Sequence, residues 1–322
     1  MIERDELALL ATSFAGAIAQ ATSPQAADAE LYELGWADLL GMAPRQGAGT
    51  AFAVLGTTGS PIGLLDDVVA HSLGLSASPA MCVVMPQPNS TAPAGTMAGT
   101  GVAVDGLISA RRSTAELALV PVLHNGTISI VAVAMSSLEA NAHFAIDPSA
   151  PFVRVTAESA AIVDRVEVTN DWPMVVANAQ AALAHQLIAA SREMLEMARQ
   201  HAVDRVQFGR AIASFQAVRH KLAEVFVATE GSAAVANSYV DGECDPMIAM
   251  LAKSLAGKAA RLACANCQQV LAGIGFTTDH AFHLTMKRTM VLDTIFGSSR
   301  TLPADIGRAL VATGHAPRLV EL

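Results

Sequence analysis

The period of the apolar positions changes twice along the chain. In the first twenty residues Leu7, Leu10, Phe14 and Ile18 recur at spacings of three and four, which puts them on one face of a helix. Ser23 before Pro24 has the form of an N-cap with proline in the first helical position, and predicts a second helix that Gly35 closes. Residues 47–63 are rich in glycine and threonine and show neither period, and a short helix is expected over 64–73.

From about Ser76 the texture shifts. Val83, Val84, Val102, Val104, Ile128, Ile130, Val131 and Val133 stand in short runs cut by Gly, Pro, Asn and Ser, the pattern of short strands joined by turns. His124-Asn125-Gly126-Thr127 between two such runs predicts a hairpin. From Asp171 the helical period returns. Leu183, Leu187, Ala190, Met194 and Met197 form one stripe, Phe215, Val218, Leu222, Val225 and Thr229 a second, and Ile248, Leu251, Leu255, Ala259 and Leu262 a third. Long stripes separated by brief breaks imply antiparallel neighbours in a bundle. The expected order is a helical unit over 1–75, an all-β unit over 76–168 and a helical bundle over 169–322.

Composition narrows the setting. At 322 residues and 52% hydrophobic content the chain can bury a large core divided among two or three domains. Its apolar stretches are alanine-rich and broken by charges or histidine, so no spanning helix and no membrane partner are expected. Glu3, Asp5 and Glu6 stand where a secretory signal carries positive charge, and the four cysteines form no regular framework; both point to a cytoplasmic protein. With a formal charge of −9 and 20 scattered basic residues, nucleic acid is excluded as a partner, while a small anionic ligand held by local basic groups is not.

Several motifs that suggest chemistry have plainer uses. Cys264 and Cys267 have C-x-x-C spacing but no second pair, and they sit inside a helical stripe, where packing is the expected role. His280 and His283 lack a third ligand and read as surface or capping residues near a helix start. Gly99-Thr100-Gly101 lacks the helix and distant acid of a dinucleotide-binding turn.

Two segments carry more weight. Arg205-Val-Gln207-Phe208-Gly209-Arg-Ala-Ile212-Ala-Ser-Phe215-Gln216 is similar to the R-x-x-F-G signature of the acyl-CoA dehydrogenase family. Gln269-Val270-Leu-Ala272-Gly273-Ile-Gly275-Phe resembles that family's Q-x-x-G-G-x-G-F segment and lies about sixty residues further on, as in the family. Glu33-Leu-Gly-Trp-Ala-Asp-Leu-Leu40 resembles its opening E-L-G-W-x-x-L pattern. Taken one at a time, each has a bland explanation: a surface ion pair for Arg205, core packing for Phe208, Ile212 and Phe215, a C-cap and turn for the glycines. Those explanations leave the joint spacing unaccounted for.

The resemblance implies an α+β chain of acyl-CoA dehydrogenase type, with an N-terminal helical domain, a middle β-barrel or sandwich domain and a C-terminal four-helix bundle. It also implies FAD as cofactor, contacted by Arg205, Gln207, Phe208, Ile212 and Phe215 and by Gln269, Val270, Ala272 and Gly273. Such contacts reach a flavin held mainly by a neighbouring subunit, so an oligomer follows. The residue types suit the role: a guanidinium gives paired donors to a pyrophosphate, glycines allow close backbone approach, and a glutamine amide adds hydrogen bonds.

The sequence also departs from the family. In most members a glutamate in I-Y-E-G-T removes the α-proton of an acyl thioester while the flavin takes hydride from the β-carbon. The corresponding stretch here, Ile295-Phe-Gly-Ser-Ser-Arg300, puts Gly297 or Phe296 at that position, and the window 175–183 on the first bundle helix, where some members carry the base, has no acid. Asp293 lies four residues before Gly297, on the same face if the helix runs through; solvation or an ion pair is its plainer use, and no catalytic role is assigned to it. Segment 85–95 stands where the family has a T-E-P-x-x-G-S-D loop that grips the flavin ring, without the acidic or S-D element.

The chain thus resembles the shorter, degenerate subunit of heteromeric α2β2 acyl-CoA dehydrogenases of actinobacterial sterol degradation. The partners implied are a catalytic acyl-CoA dehydrogenase subunit, an acyl-CoA substrate and an electron-transfer flavoprotein. Two alternatives stay open: a self-sufficient homotetramer with an unrecognised base, and a flavin-free assembly subunit.

Overall fold

A computed structural model describes residues 2–124, 127–141, 146–147, 152–167, 171–242 and 244–317. Five helices open the chain: α1 Arg4–Gln20, α2 Pro24–Glu33, α3 Trp36–Met42, α4 Pro44–Thr58 and α5 Leu64–Ser72. Ser23 caps α2 by accepting from the Ala26 N–H at 3.1 Å, and Gly35 supplies the left-handed residue (φ 87°) that separates α2 from α3.

The stretch that shows no clear period, 47–63, is mostly the helix α4. Its contact face is built from small residues rather than from a leucine stripe. A Cβ on Gly47 would stand 2.8 Å from Leu39 Cγ, and one on Gly56 would collide with the Gln186 carbonyl. Glycine therefore sets how closely α4 approaches its neighbours.

Strands follow: β1 Cys82–Val83, β2 Gly95–Ala98, β3 Gly101–Ile108, β4 Leu117–His124, β5 Thr127–Ala134, β6 Glu139–Asn141, β7 Val153–Ala160 and β8 Ile162–Glu167. They form one sheet in the order β6-β7-β3-β2-β4-β5-β8, with β1 pairing parallel to β4. β4 and β5 pair antiparallel to the His124–Thr127 closure, as the hairpin motif predicts, though Asn125 and Gly126 lie outside the described residues. Gly99-Thr100 is a two-residue turn between β2 and β3. The inward side chains of β3, β4 and β5, including Val102, Val104, Val120, Val122, Val131 and Val133, make a separate apolar core.

The remainder is helical: α6 Trp172–Asp204, α7 Gln216–Asp241, α8 Pro246–Leu271, α9 Phe282–Thr294 and α10 Leu302–Thr313. Tyr239 Oη donates to Asn178 Oδ1 (2.8 Å) near one end of the α6–α7 pair, and Arg192 bridges Glu230 (2.8 Å) further along, so the two helices run antiparallel. The predicted α8 stripe lies off centre. Leu251, Leu255 and Leu262 are half-buried, while Ala249, Ala252, Ala256, Ala260 and Ala263 are fully covered, because α6 and α8 meet along small side chains. Among the described residues no helix is long and apolar enough to cross a membrane.

Candidate functional site

The segment with the R-x-x-F-G pattern leaves α6 and makes a second, small hairpin: β9 Val206–Gln207 pairs antiparallel with β10 Arg210–Ala211. Phe208 and Gly209 are its two central residues, with φ 52° and 74°. Positive φ at both positions is the geometry of a type I′ turn, whose hand matches strand twist. Glycine accepts it freely, whereas a bulky aromatic in this region is a true outlier. The strained residue is also 91% exposed, so burial does not explain it.

Phe208 stacks edge-on against Phe215, with centroids 6.1 Å apart, and the Arg210 guanidinium lies 4.3 Å over the same Phe215 ring. Arg205 is exposed and makes no side-chain hydrogen bond or ion pair among the described residues, so the surface ion pair that would account for it is absent. Gln207 is exposed as well. Ile212 is half-buried against the core cluster shared by α6, α7 and α8, which limits its side chain to a supporting role.

The second segment follows α8. Gln269, Ala272 and Gly273 are exposed, but Val270 is 5% exposed and packs inward with Met194, Ala198 and Phe282. Its backbone is therefore the part of Val270 placed for any contact with a ligand. Ala272 has φ 53°, where alanine is strained. The glycines divide. A Cβ on Gly275 would stand 2.5 Å from Gln268 Nε2, so the amide at the end of that side chain would have to move, whereas nothing within 4 Å would meet a Cβ on Gly273.

Ile212 of the first segment and Val270 of the second belong to one core cluster, which puts the two segments in one neighbourhood. The His201 imidazole, in the last turn of α6, is pushed below its ordinary value by burial and then by the positive charges of Arg205 and His280. His280 itself accepts from the Phe282 N–H at 3.1 Å and caps α9. Cys264 and Cys267 are buried in the bundle with thiols pushed up to about 12 by burial, which suits packing and not chemistry. Among the described residues no group of three His, Cys, Asp or Glu could hold a metal.

The turn after α9 is closed. The helix stops at Thr294, and Phe296 and Gly297 have φ 54° and 86°, so Asp293 and Gly297 do not share a helical face. Asp293 is neither solvated nor in an ion pair. It is buried, and its carboxylate accepts from the Ser299 N–H (3.0 Å) and Oγ (2.8 Å). Gln180 Nε2 donates to the Phe296 carbonyl (2.9 Å), and Lys253 Nζ donates to the carbonyls of Asp293 (2.9 Å) and Gly297 (3.1 Å). Burial brings Lys253 down to about 8, against the pull of Asp293.

Segment 85–95 lies against this turn. The Asn89 N–H donates to the Thr294 carbonyl at 2.7 Å, and the Thr91 carbonyl accepts from Trp172 Nε1 at the start of α6, also at 2.7 Å. Phe296 is fully buried. A cleft of about 1630 Å³ between α1, α4, α6 and α7 is lined by none of the residues expected to contact FAD. His185 on its wall is neutral, pushed down to about 4 by burial.

Residues 175–311 match the family described as acyl-CoA dehydrogenase, C-terminal domain. Over 119 residues, 36% of this chain, the sequence is 35% identical to acyl-CoA dehydrogenase IpdE2 of Mycobacterium tuberculosis, and the match spans 36% of that relative's length. Glutaryl-CoA dehydrogenase of Mycobacterium smegmatis in complex with FADH2 superposes with a TM-score of 0.78 at 18% identity, covering 98% of this chain and 96% of that one. The ChsE4-ChsE5 complex of Mycobacterium tuberculosis superposes with a TM-score of 0.75 at 19% identity, covering 98% and 99%. Residues 175–311 thus resemble an acyl-CoA dehydrogenase C-terminal domain, and the chain as a whole has the fold of these acyl-CoA dehydrogenase structures.

Proposed function

We propose that this chain is the non-catalytic subunit of a heteromeric, FAD-dependent acyl-CoA dehydrogenase. It lends flavin contacts across an interface while its partner supplies the catalytic glutamate. The observation that carries the reading is the contrast between the two ends of the bundle. At one end Arg205, Gln207, Phe208, Gln269 and Gly273 are exposed, strained or unpaired toward the outside. At the other, the two positions that could bear the base, Phe296 and Gly297, are buried and left-handed, and neither is an acid.

The exposed groups fit one end of a dinucleotide. Arg205 would meet the pyrophosphate, Phe208 and Phe215 would offer an aromatic surface, and Gln269 with the open backbone at Gly273 would add donors and acceptors. Bound FAD supplies the hydride acceptor for α,β-dehydrogenation of an acyl thioester. This chain's residues bind and orient it and take no proton. The substrate is an acyl-CoA, in our reading a steroid-derived one, and electrons pass to an electron-transfer flavoprotein.

A self-sufficient enzyme using Asp293 is the weaker reading, because that carboxylate is already occupied by Ser299. The test is the complex of this chain with its glutamate-bearing partner. Arg205→Ala with Gln269→Ala should yield an assembled complex that has lost most of its flavin and activity. Full retention of both would sink the flavin role and leave an assembly subunit.

A further inference from the structure

Arg111 sits in a short 3-10 turn, Ala110–Ser113, between β3 and β4, where it gathers carboxylates from the N-terminal helices. Its Nε and Nη2 donate to Asp28 of α2 (2.8 and 2.7 Å), and its Nη1 and Nη2 to Asp67 of α5 (2.6 and 2.8 Å). Asp67 also accepts from Tyr32 Oη (2.6 Å) and Trp36 Nε1 (2.8 Å), so both its oxygens are satisfied twice. This cluster is the polar seam between the helical layer and the sheet.

A third carboxylate, Asp66, is wholly buried in the same seam and is served worse. Its Oδ1 accepts from the Val83 N–H of β1 at 2.7 Å and the Ser109 hydroxyl lies beside the carboxylate, while its Oδ2 has no partner within hydrogen-bond distance. The titratable groups facing it are Asp67 from its own helix, Cys82 from β1 and Arg111 from the turn, with Asp28 and Tyr32 of α2 behind the guanidinium. Three acids therefore share one cation. A buried carboxylate with an empty oxygen and no cation of its own is the one that holds a proton at least cost.

We propose that Asp66 is protonated in the folded chain at mildly acidic pH and ionises toward mildly alkaline pH, which makes the seam between α2, α5 and β1 a pH-sensitive joint. Burial, opposed by Arg111, moves its titration up to about 7. A carboxyl whose folded value is raised contributes stability that is fully present below its unfolded value near 3.8 and is lost as pH rises through 7. Ionisation leaves two net negative charges in the seam and loosens it.

The test is thermal unfolding of the full chain between pH 5.5 and 8.5, beside Asp66→Asn, which mimics the protonated acid. The wild type should lose about 3 °C more of its midpoint than the variant across that range. Equal losses would overturn the proposal. Should the variant not fold, infrared spectroscopy of the wild type decides: a buried protonated-carboxyl band present at pH 6 and lost by pH 8.5 is expected, and its absence at pH 6 overturns it.

Discussion

A Cβ built on Gly297 would stand 2.5 Å from Cδ2 of Leu302, the first residue of α10, on a backbone whose φ is 86°. Gly297, one of the two positions that align with the family's base, is thus closed to a larger side chain twice, by conformation and by packing. Gly297→Glu is expected to cost about 3 kcal/mol, combining left-handed strain with an overpacked contact. Chemical denaturation reads the loss, and the chain alone should gain no dehydrogenase activity. A variant as stable as the parent would mean the turn is free to rearrange.

Phe208 is strained yet exposed, which separates stability from binding. Phe208→Gly removes the left-handed penalty and should leave stability equal or raise it by about 1 kcal/mol. The same change deletes the ring of the proposed flavin surface, so the co-purified complex should hold flavin less tightly. Titration of FAD into deflavinated complex measures this, and unchanged affinity would argue that the turn is merely structural.

Lys253 reaches through the bundle to hold two carbonyls at the α9 turn. Lys253→Met leaves both acceptors buried without a donor, at about 1–3 kcal/mol each. The pH dependence has a definite sign. Because the folded ammonium titrates at about 8 and the unfolded one near 10.5, the unfolded chain binds more protons between those values, and stability from this group rises with pH there. Denaturation midpoints of wild type and variant from pH 7.5 to 9.5 should therefore diverge in favour of the wild type; parallel curves would contradict it.

Where apolar side chains fill the contacts, period reported the element correctly, as over α6 and in the valine runs of β3, β4 and β5. Where glycine and alanine set the contacts it did not: α4 shows no stripe because Gly47 and Gly56 lie at its closest approaches, and the α8 leucines flank an alanine centre. At the candidate site the residue types were legible and their facing was not. Val270 sits one position after Gln269, yet the turn of the helix sends one inward and the other out. The burial of Asp293 likewise depends on a helix ending at Thr294, which two consecutive positive φ values enforce and no local propensity announces.

Co-expression of this chain with a glutamate-bearing acyl-CoA dehydrogenase partner, followed by size exclusion read at protein and flavin wavelengths, tests the central claim most directly. The account predicts a yellow mixed complex and a colourless or insoluble chain when this subunit is made alone. A yellow oligomer of this chain alone that oxidises an acyl-CoA would contradict it.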